Sequence, residues 1–146
     1  PTRPAISAYD SPWLQSGGEV IVETQLYDRV SVEVTAGAQW LQTGGTMTIT
    51  NTHELVGGEE GYQAAAMDIH HTCRGILSGG TLTASGDLTQ AIRVDDELIL
   101  GGTELELDAE QTALDLYPHA NVTMLCGRLE LFPILVLFHP AIWRKG

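Results

Sequence analysis

Short stretches of alternating apolar and polar side chains recur along the whole chain, and four of them directly follow a pair of glycines. Alternation with a period of two is typical of a strand with one buried and one solvent-facing side. Glycine supplies the positive φ angles that tight turns between such strands require. The pairs that lead directly into alternating stretches are Gly17-Gly18, Gly44-Gly45, Gly79-Gly80 and Gly101-Gly102. The pattern predicts a small all-β protein.

The clearest pair of predicted strands spans Glu19–Leu26 and Val30–Thr35. Each strand has one side of alternate residues, Val20, Val22, Thr24 and Leu26 in the first and Val30, Val32 and Val34 in the second. Tyr27-Asp28-Arg29 lies between the strands as a turn. We therefore expect an antiparallel hairpin here. Similar stretches along the chain predict about nine or ten strands, arranged as an antiparallel sandwich, jelly roll or barrel. One short helical turn is predicted between Asp108 and Leu116, where a helix-start pattern occurs.

The same pattern divides the chain into three parts. Residues 1–16 contain three prolines and no periodicity, which predicts an extended N-terminal arm. Residues 17–138 are expected to form the β domain, and residues 139–146 a C-terminal tail. Three Gly-Gly-Thr triplets begin at residues 44, 79 and 101, and their uneven spacing argues against a true repeat array.

Composition excludes some classes of partner. The chain has 146 residues and a net charge of −12, from 19 acidic against seven basic residues. Nucleic acid and anionic membranes both require a basic surface, so neither is expected as a partner. The first residues show no charged-then-apolar leader, and no stretch is long enough for a transmembrane segment. We therefore expect a product of the cytoplasm.

Histidines and cysteines are the only candidates for a transition-metal site. His70, His71 and Cys73 are close in sequence, but strand geometry directs only His71 and Cys73 to the same side. Their spacing matches no zinc motif, so we expect ordinary sheet residues, with no metal and no cofactor. The other histidines and cysteines are distant in sequence: His53, His119, Cys126 and His139.

Other catalytic patterns are also missing. Asp95-Asp96-Glu97 and Glu59-Glu60 lack the spacing of a calcium loop. No nucleophile signature and no phosphate-binding loop occurs, so we expect a protein that is not an enzyme. A disulfide between Cys73 and Cys126 is not expected, because both cysteines fall in strand-like segments and buried thiols are usual in a reducing compartment.

The two ends of the chain are proline-rich and aromatic, unlike the middle. Large apolar side chains in such segments commonly dock on a neighbouring subunit. This predicts a partner interface that supports a homo-oligomer and attachment to a larger protein assembly. Its expected residues are Tyr9, Trp13, Leu14, Phe138, Ile142 and Trp143.

In general character the chain resembles the small β-rich virion proteins of tailed phages, especially capsid decoration or cement proteins. The resemblance lies in the Pro1-Thr2-Arg3-Pro4 start, the Gly/Thr-rich segments 44–50 and 79–88, and the acidic composition. It implies a non-catalytic structural protein located in the virion, and it assigns no site residues. Two alternatives are a β-sandwich binding module for carbohydrate or protein, and a metal-dependent jelly-roll enzyme using His70, His71 and Cys73.

Overall fold

A computed structural model of the protein describes residues 3–53, 63–132 and 136–138. The described part of the chain consists of strands and connecting turns, with no helix. In chain order the strands are β1 (Ile6–Tyr9), β2 (Trp13–Gln15), β3 (Glu19–Thr24), β4 (Val30–Thr35), β5 (Gln39–Gln42), β6 (Thr46–Asn51), β7 (Ala65–Ile69), β8 (Arg74–Leu77), β9 (Thr81–Gly86), β10 (Gln90–Val94), β11 (Glu97–Asp108), β12 (Thr112–Leu116), β13 (Asn121–Phe132) and β14 (Val136–Phe138). The all-β prediction is confirmed, whereas the predicted helical turn is replaced by β12.

All strand pairs are parallel, and the chain winds into a β-solenoid. One six-stranded sheet has the order β1-β4-β7-β10-β12-β14, and we call its outer side the first face. The other sheet is eight-stranded. It bends into a second face, formed by β2, β5, β8 and the first halves of β11 and β13, and a third face, formed by β3, β6, β9 and the second halves. Each coil of the solenoid thus passes through three faces.

The predicted antiparallel sandwich, jelly roll or barrel is therefore wrong. β3 and β4 do not pair as a hairpin, because β3 pairs with β6 while β4 pairs with β1 and β7. The segment between them carries the chain from the third face to the first instead of reversing it. A solvent-facing strand alternates in the same way whether its neighbours are parallel or antiparallel, so the pattern could not distinguish the two.

The predicted N-terminal arm contains two of the strands. β1 and β2 lie within residues 1–16, and together with β3 they form the first coil. Ile6 pairs with Val32, and Trp13 pairs with Trp40 in the second coil. At the other end, the predicted tail of residues 139–146 lies outside the described residues.

In successive coils a pair of glycines lies at the corner between the second face and the third: Gly17-Gly18, Gly44-Gly45 and Gly79-Gly80. We call this the glycine corner. A Cβ atom on Gly44 would lie 2.5 Å from the Ser16 carbonyl oxygen, and one on Gly80 would lie 2.1 Å from the Gly45 carbonyl oxygen. Gly45 and Gly80 also have φ angles of 80° and 76°. Glycine is required here because the backbone of the preceding coil occupies the space of a side chain.

The Gly-Gly-Thr triplets therefore mark a real coil repeat, despite their uneven spacing. Two features disguise it. The connection from β6 to β7 is longer than the other connections between the third and first faces. In addition, Gly101-Gly102 lies one position earlier in its coil than Gly79-Gly80, since Glu104 pairs with Thr81.

The core fills the space between the three faces with stacked apolar side chains. Along the first face, Val32, Met67, Ile92 and Leu114 occupy equivalent positions and are buried. Asn51 links the coils at one corner: its amide donates to the carbonyls of Leu26 and Asp87 and accepts from the Leu26 N–H. Such a buried amide is stabilising because each of its polar atoms is paired.

We predict that alanine substitutions in the glycine corner differ in cost, because backbone strain and contact with the preceding coil apply at some positions and not at others. Gly80→Ala combines both, so it should destabilise by about 2 kcal/mol or more and lower Tm by roughly 5 °C or more. Gly17→Ala has neither cost, since nothing lies within 4 Å of its Cβ position and its φ is not positive. Thermal unfolding of dilute protein measures both variants. Equal melting temperatures for the two would contradict the stacked corner.

Candidate functional site

The histidines considered as metal ligands lie at the corner between the first and second faces. His70 Nε2 is 3.5 Å from Asp68 Oδ2 and 3.7 Å from Glu33 Oε1. The ring of His71 lies 4.7 Å from that of His119. Cys73 is separated from them in the core. Among the described residues, no group of three His, Cys, Asp or Glu side chains is placed to hold a metal ion.

The remaining candidate ligands are dispersed. The ring of His53 packs against Tyr27 at a centroid distance of 5.0 Å. Cys73 is buried and Cys126 is exposed, and both are free thiols. The Cys126 thiol donates to the Gly101 carbonyl at 2.9 Å. His139 and Glu59-Glu60 lie outside the described residues.

The acidic run at Asp95-Asp96-Glu97 has structural partners. Asp96 Oδ2 accepts a hydrogen bond from the Thr72 N–H at 2.6 Å, and Thr72 has a φ of 72°. Positive φ is costly for a β-branched residue, and a hydrogen bond to a carboxylate offsets part of that cost. Glu97 pairs with Arg74 at 3.0 Å. These two carboxylates therefore support the corner and the second face.

Asp68 is the ionisable group most affected by its surroundings. Burial raises the pKa of Asp68 above its ordinary value, because the charged form loses solvation. Coulombic interactions with Arg93 and His70 lower this pKa, whereas the nearby carboxylates Glu33 and Asp95 raise it further. The carboxyl of Asp68 is thus a component of a packed charge cluster on the first face.

The predicted interface residues have different environments. Tyr9 and Leu14 are largely exposed on the first and second faces of the first coil. Trp13 is half-buried, and its ring stacks on Trp40 with a centroid distance of 4.8 Å and an interplanar angle of 7°. Phe138 belongs to β14. Ile142 and Trp143 lie outside the described residues.

Large exposed apolar side chains are concentrated in the first coil and in β13. Their exposed fractions range from 49% to 72%. The first coil has one on each face, Tyr9, Leu14 and Ile21, and β13 has Met124 and Leu125. The first coil thus presents an exposed apolar side chain on each of its three faces, whereas β13 presents two side by side.

The second face also has a row of aliphatic side chains that runs across its strands. Leu14, Leu41, Ile76 and Ile99 stack in register on its outer side, and Thr123 follows in β13. We call these four aliphatic residues the aliphatic row. Leu41, Ile76 and Ile99 are half-buried and alternate with core residues, so they face outward. Sequence analysis missed this row, although each member is an apolar residue at the polar position of an alternating stretch.

The charges of the chain are distributed unevenly among the faces. The outer side of the second face has Arg74 and Glu97, which neutralise each other. The outer side of the third face has one base, Arg128, among many acids. Those acids are Glu19, Glu23, Glu104, Glu106, Asp108 and Glu130. The second face of this strongly acidic protein is therefore apolar, and its one ion pair leaves it without net charge among the described residues.

No protein-family model matches the chain, and neither the curated proteins nor the solved structures include a significant match. In the part of the chain that the structure describes, no helix has the length and apolar character needed to cross a membrane. The arrangement of the faces is accordingly the basis for assigning a function.

We predict that neighbouring charges move the pKa of Asp68 in opposite directions. Arg93→Gln should raise it further and Glu33→Gln should lower it, as followed by carboxyl ¹³C shifts during a pH titration. A raised pKa means that the folded state binds the proton more tightly than the unfolded chain. The contribution of Asp68 to the free energy of unfolding therefore increases as pH falls through the folded pKa. A pKa at or below the ordinary aspartate value would contradict this environment.

Proposed function

We propose that the protein is a non-catalytic assembly component that docks on other protein surfaces through its second face. The observation that supports this most is the aliphatic row, which lies on the one face where charges cancel. A flat apolar surface of this kind is typical of an interaction site. Its neutrality matters because two molecules with a net charge of −12 repel each other elsewhere.

The size of the second face favours a multivalent assembly over an isolated dimer. With strands about 4.8 Å apart and residues about 3.3 Å apart, five strands of three or four residues cover roughly 300 Å². A stable pair commonly buries about 800 Å² on each partner. One contact through this face is therefore weak, and several contacts per copy are needed for firm attachment. A larger shell or ring of subunits provides such contacts.

The specific form of this proposal is a decoration or cement protein of a virion shell, made in a host cytoplasm and forming homo-oligomers on the shell. Its support is the sequence resemblance together with the docking face.

A second candidate function is carbohydrate binding on the third face. Thr81, Glu104 and Glu106 line a shallow pocket there, next to rows of outward threonines on β6 and β9. Hydroxyl and carboxylate oxygens are suitable hydrogen-bond partners for sugar hydroxyls. Binding to a glycan array, lost in Glu106→Gln but retained in second-face variants, would favour this alternative.

We predict that a charge on the aliphatic row disrupts assembly without unfolding the protein. Ile76→Glu places a carboxylate in the middle of the row, so self-association and shell binding should each weaken at least about tenfold. Thr83→Glu is the matched control, because it adds the same charge to the outer side of the third face. Sedimentation equilibrium measures self-association, and co-sedimentation with undecorated capsids measures shell binding.

Circular dichroism should show the same β content in both variants and in the parent. Equal losses of association in Ile76→Glu and Thr83→Glu would contradict a role for the second face. A parent protein that remains monomeric at every concentration and binds no shell would contradict the proposed function as a whole.

A further inference from the structure

The coils are joined at the glycine corner by a repeated pair of backbone hydrogen bonds. The N–H groups of Thr43 and Thr46 donate to the carbonyls of Gln15 and Gly18, at 2.9 and 2.8 Å. The next coil repeats this arrangement: Ser78 and Thr81 donate to Gln42 and Gly45, at 2.8 and 2.9 Å. Each coil thus offers two carbonyls to the coil that follows and two N–H groups to the coil that precedes.

In the first coil the equivalent donors are the N–H groups of Ser16 and Glu19. Neither has an acceptor among the described residues. Together with β2 and β3, they form an open edge of parallel strands. Open edges pair readily with further strands, since their backbone groups are already extended and aligned.

Gly17 is the second sign that this edge accepts another coil. Its counterparts Gly44 and Gly79 must be glycine, because carbonyl oxygens of the preceding coil lie 2.5 and 2.2 Å from their Cβ positions. Gly17 has no such neighbour within 4 Å, and its φ is not positive. No contact within the described part of the chain explains why residue 17 is glycine. The empty space matches the position of a carbonyl from a further coil.

The complementary edge is on β13. Met124 and Gly127 are aligned with Gln15 and Gly18 in the register of the coils, so their carbonyls occupy the accepting positions. Residues 123–128 are exposed. The corner from Met124 to Arg128 has the same length as the corner from Gln15 to Glu19. A second copy placed on this edge would continue the solenoid.

Charge complementarity supports a second copy as the occupant. Continued stacking places Glu19 of one copy next to Arg128 of the other, in the row that contains Thr46, Thr81 and Glu104 within a chain. Both side chains are exposed, and Arg128 also pairs with Glu130 within the chain. Opposite charges at directly adjacent strand positions favour pairing.

We infer that two copies of this chain stack head to tail, with β2 and β3 of one copy pairing in parallel with β13 of the other. This axial contact uses a different surface from the second face and does not depend on it. On the first face, β14 occupies the level that β1 of the incoming copy would take. Stacking therefore requires β1 of the incoming copy to displace β14, the shorter of the two strands.

Gly17→Ala tests the inference because it should block stacking and leave the monomer intact. The added methyl group fills the space that the incoming carbonyl requires, so axial association should weaken at least tenfold while Tm in dilute solution is unchanged. Analytical ultracentrifugation over a range of concentrations, with electron microscopy to show end-to-end particles, measures the effect. Ile76→Glu weakens self-association through the second face but should leave the end-to-end particles seen by electron microscopy intact, which separates this inference from the proposed function.

A charge exchange identifies the partner as a second copy. Glu19→Arg and Arg128→Glu should each weaken axial association, and the double variant should restore it, because the opposite charges meet again across the contact. Failure of the double variant to recover association would overturn the head-to-tail arrangement. Association of Gly17→Ala at the level of the parent, or a parent that forms no end-to-end particles, would also overturn it.

Discussion

The close contact of consecutive coils at the glycine corner is the constraint on which the rest of the structure depends. The Gly44 and Gly79 Cβ positions lie against carbonyl oxygens of the preceding coil, which fixes the axial rise of the chain at this corner. Because the rise is the spacing of parallel strands, every strand on the three faces falls into register with its neighbours. That register stacks core residues such as Val32 and Met67, and it aligns outward residues such as those of the aliphatic row.

Register also converts a linear sequence into surfaces of distinct character. Residues that are far apart in the chain, such as Leu41 and Ile76, become neighbours on the second face. The same stacking collects acids on the third face, including Glu104 and Glu106. An acidic protein thereby retains one uncharged, apolar side. The proposed assembly role rests on this separation of charge from apolar surface, which the net charge alone does not reveal.

The strands could be predicted because each has one solvent-facing and one buried side, and this produces alternating polar and apolar residues in the sequence. Their pairing was not predictable from the same signal, as the mistaken hairpin between Glu19 and Thr35 shows. The glycine pairs were identified as turns, but their uneven spacing concealed the coil repeat. A longer connection before β7 and the earlier position of Gly101-Gly102 account for this.

The candidate site was only partly accessible to sequence analysis. Tyr9 and Leu14 are exposed in the first coil, whereas Trp13 packs on Trp40 at the end of the core. The aliphatic row could have been detected by comparing the outward positions of β5, β8 and β11, but only once those strands were aligned as successive coils. A single apolar residue at an outward position indicates little, whereas several that align on adjacent strands indicate an apolar surface.

The most direct test of the parallel solenoid is a set of backbone nuclear Overhauser effects on the third face. Ile21, Thr48, Thr83 and Glu106 occupy one row on four adjacent strands, so contacts should connect each of them to the next. A continuous row of such contacts through four parallel strands is what stacked coils predict. Contacts between Val22 and Val34 backbone groups, as in an antiparallel hairpin, with no contact between Thr48 and Thr83, would contradict the account.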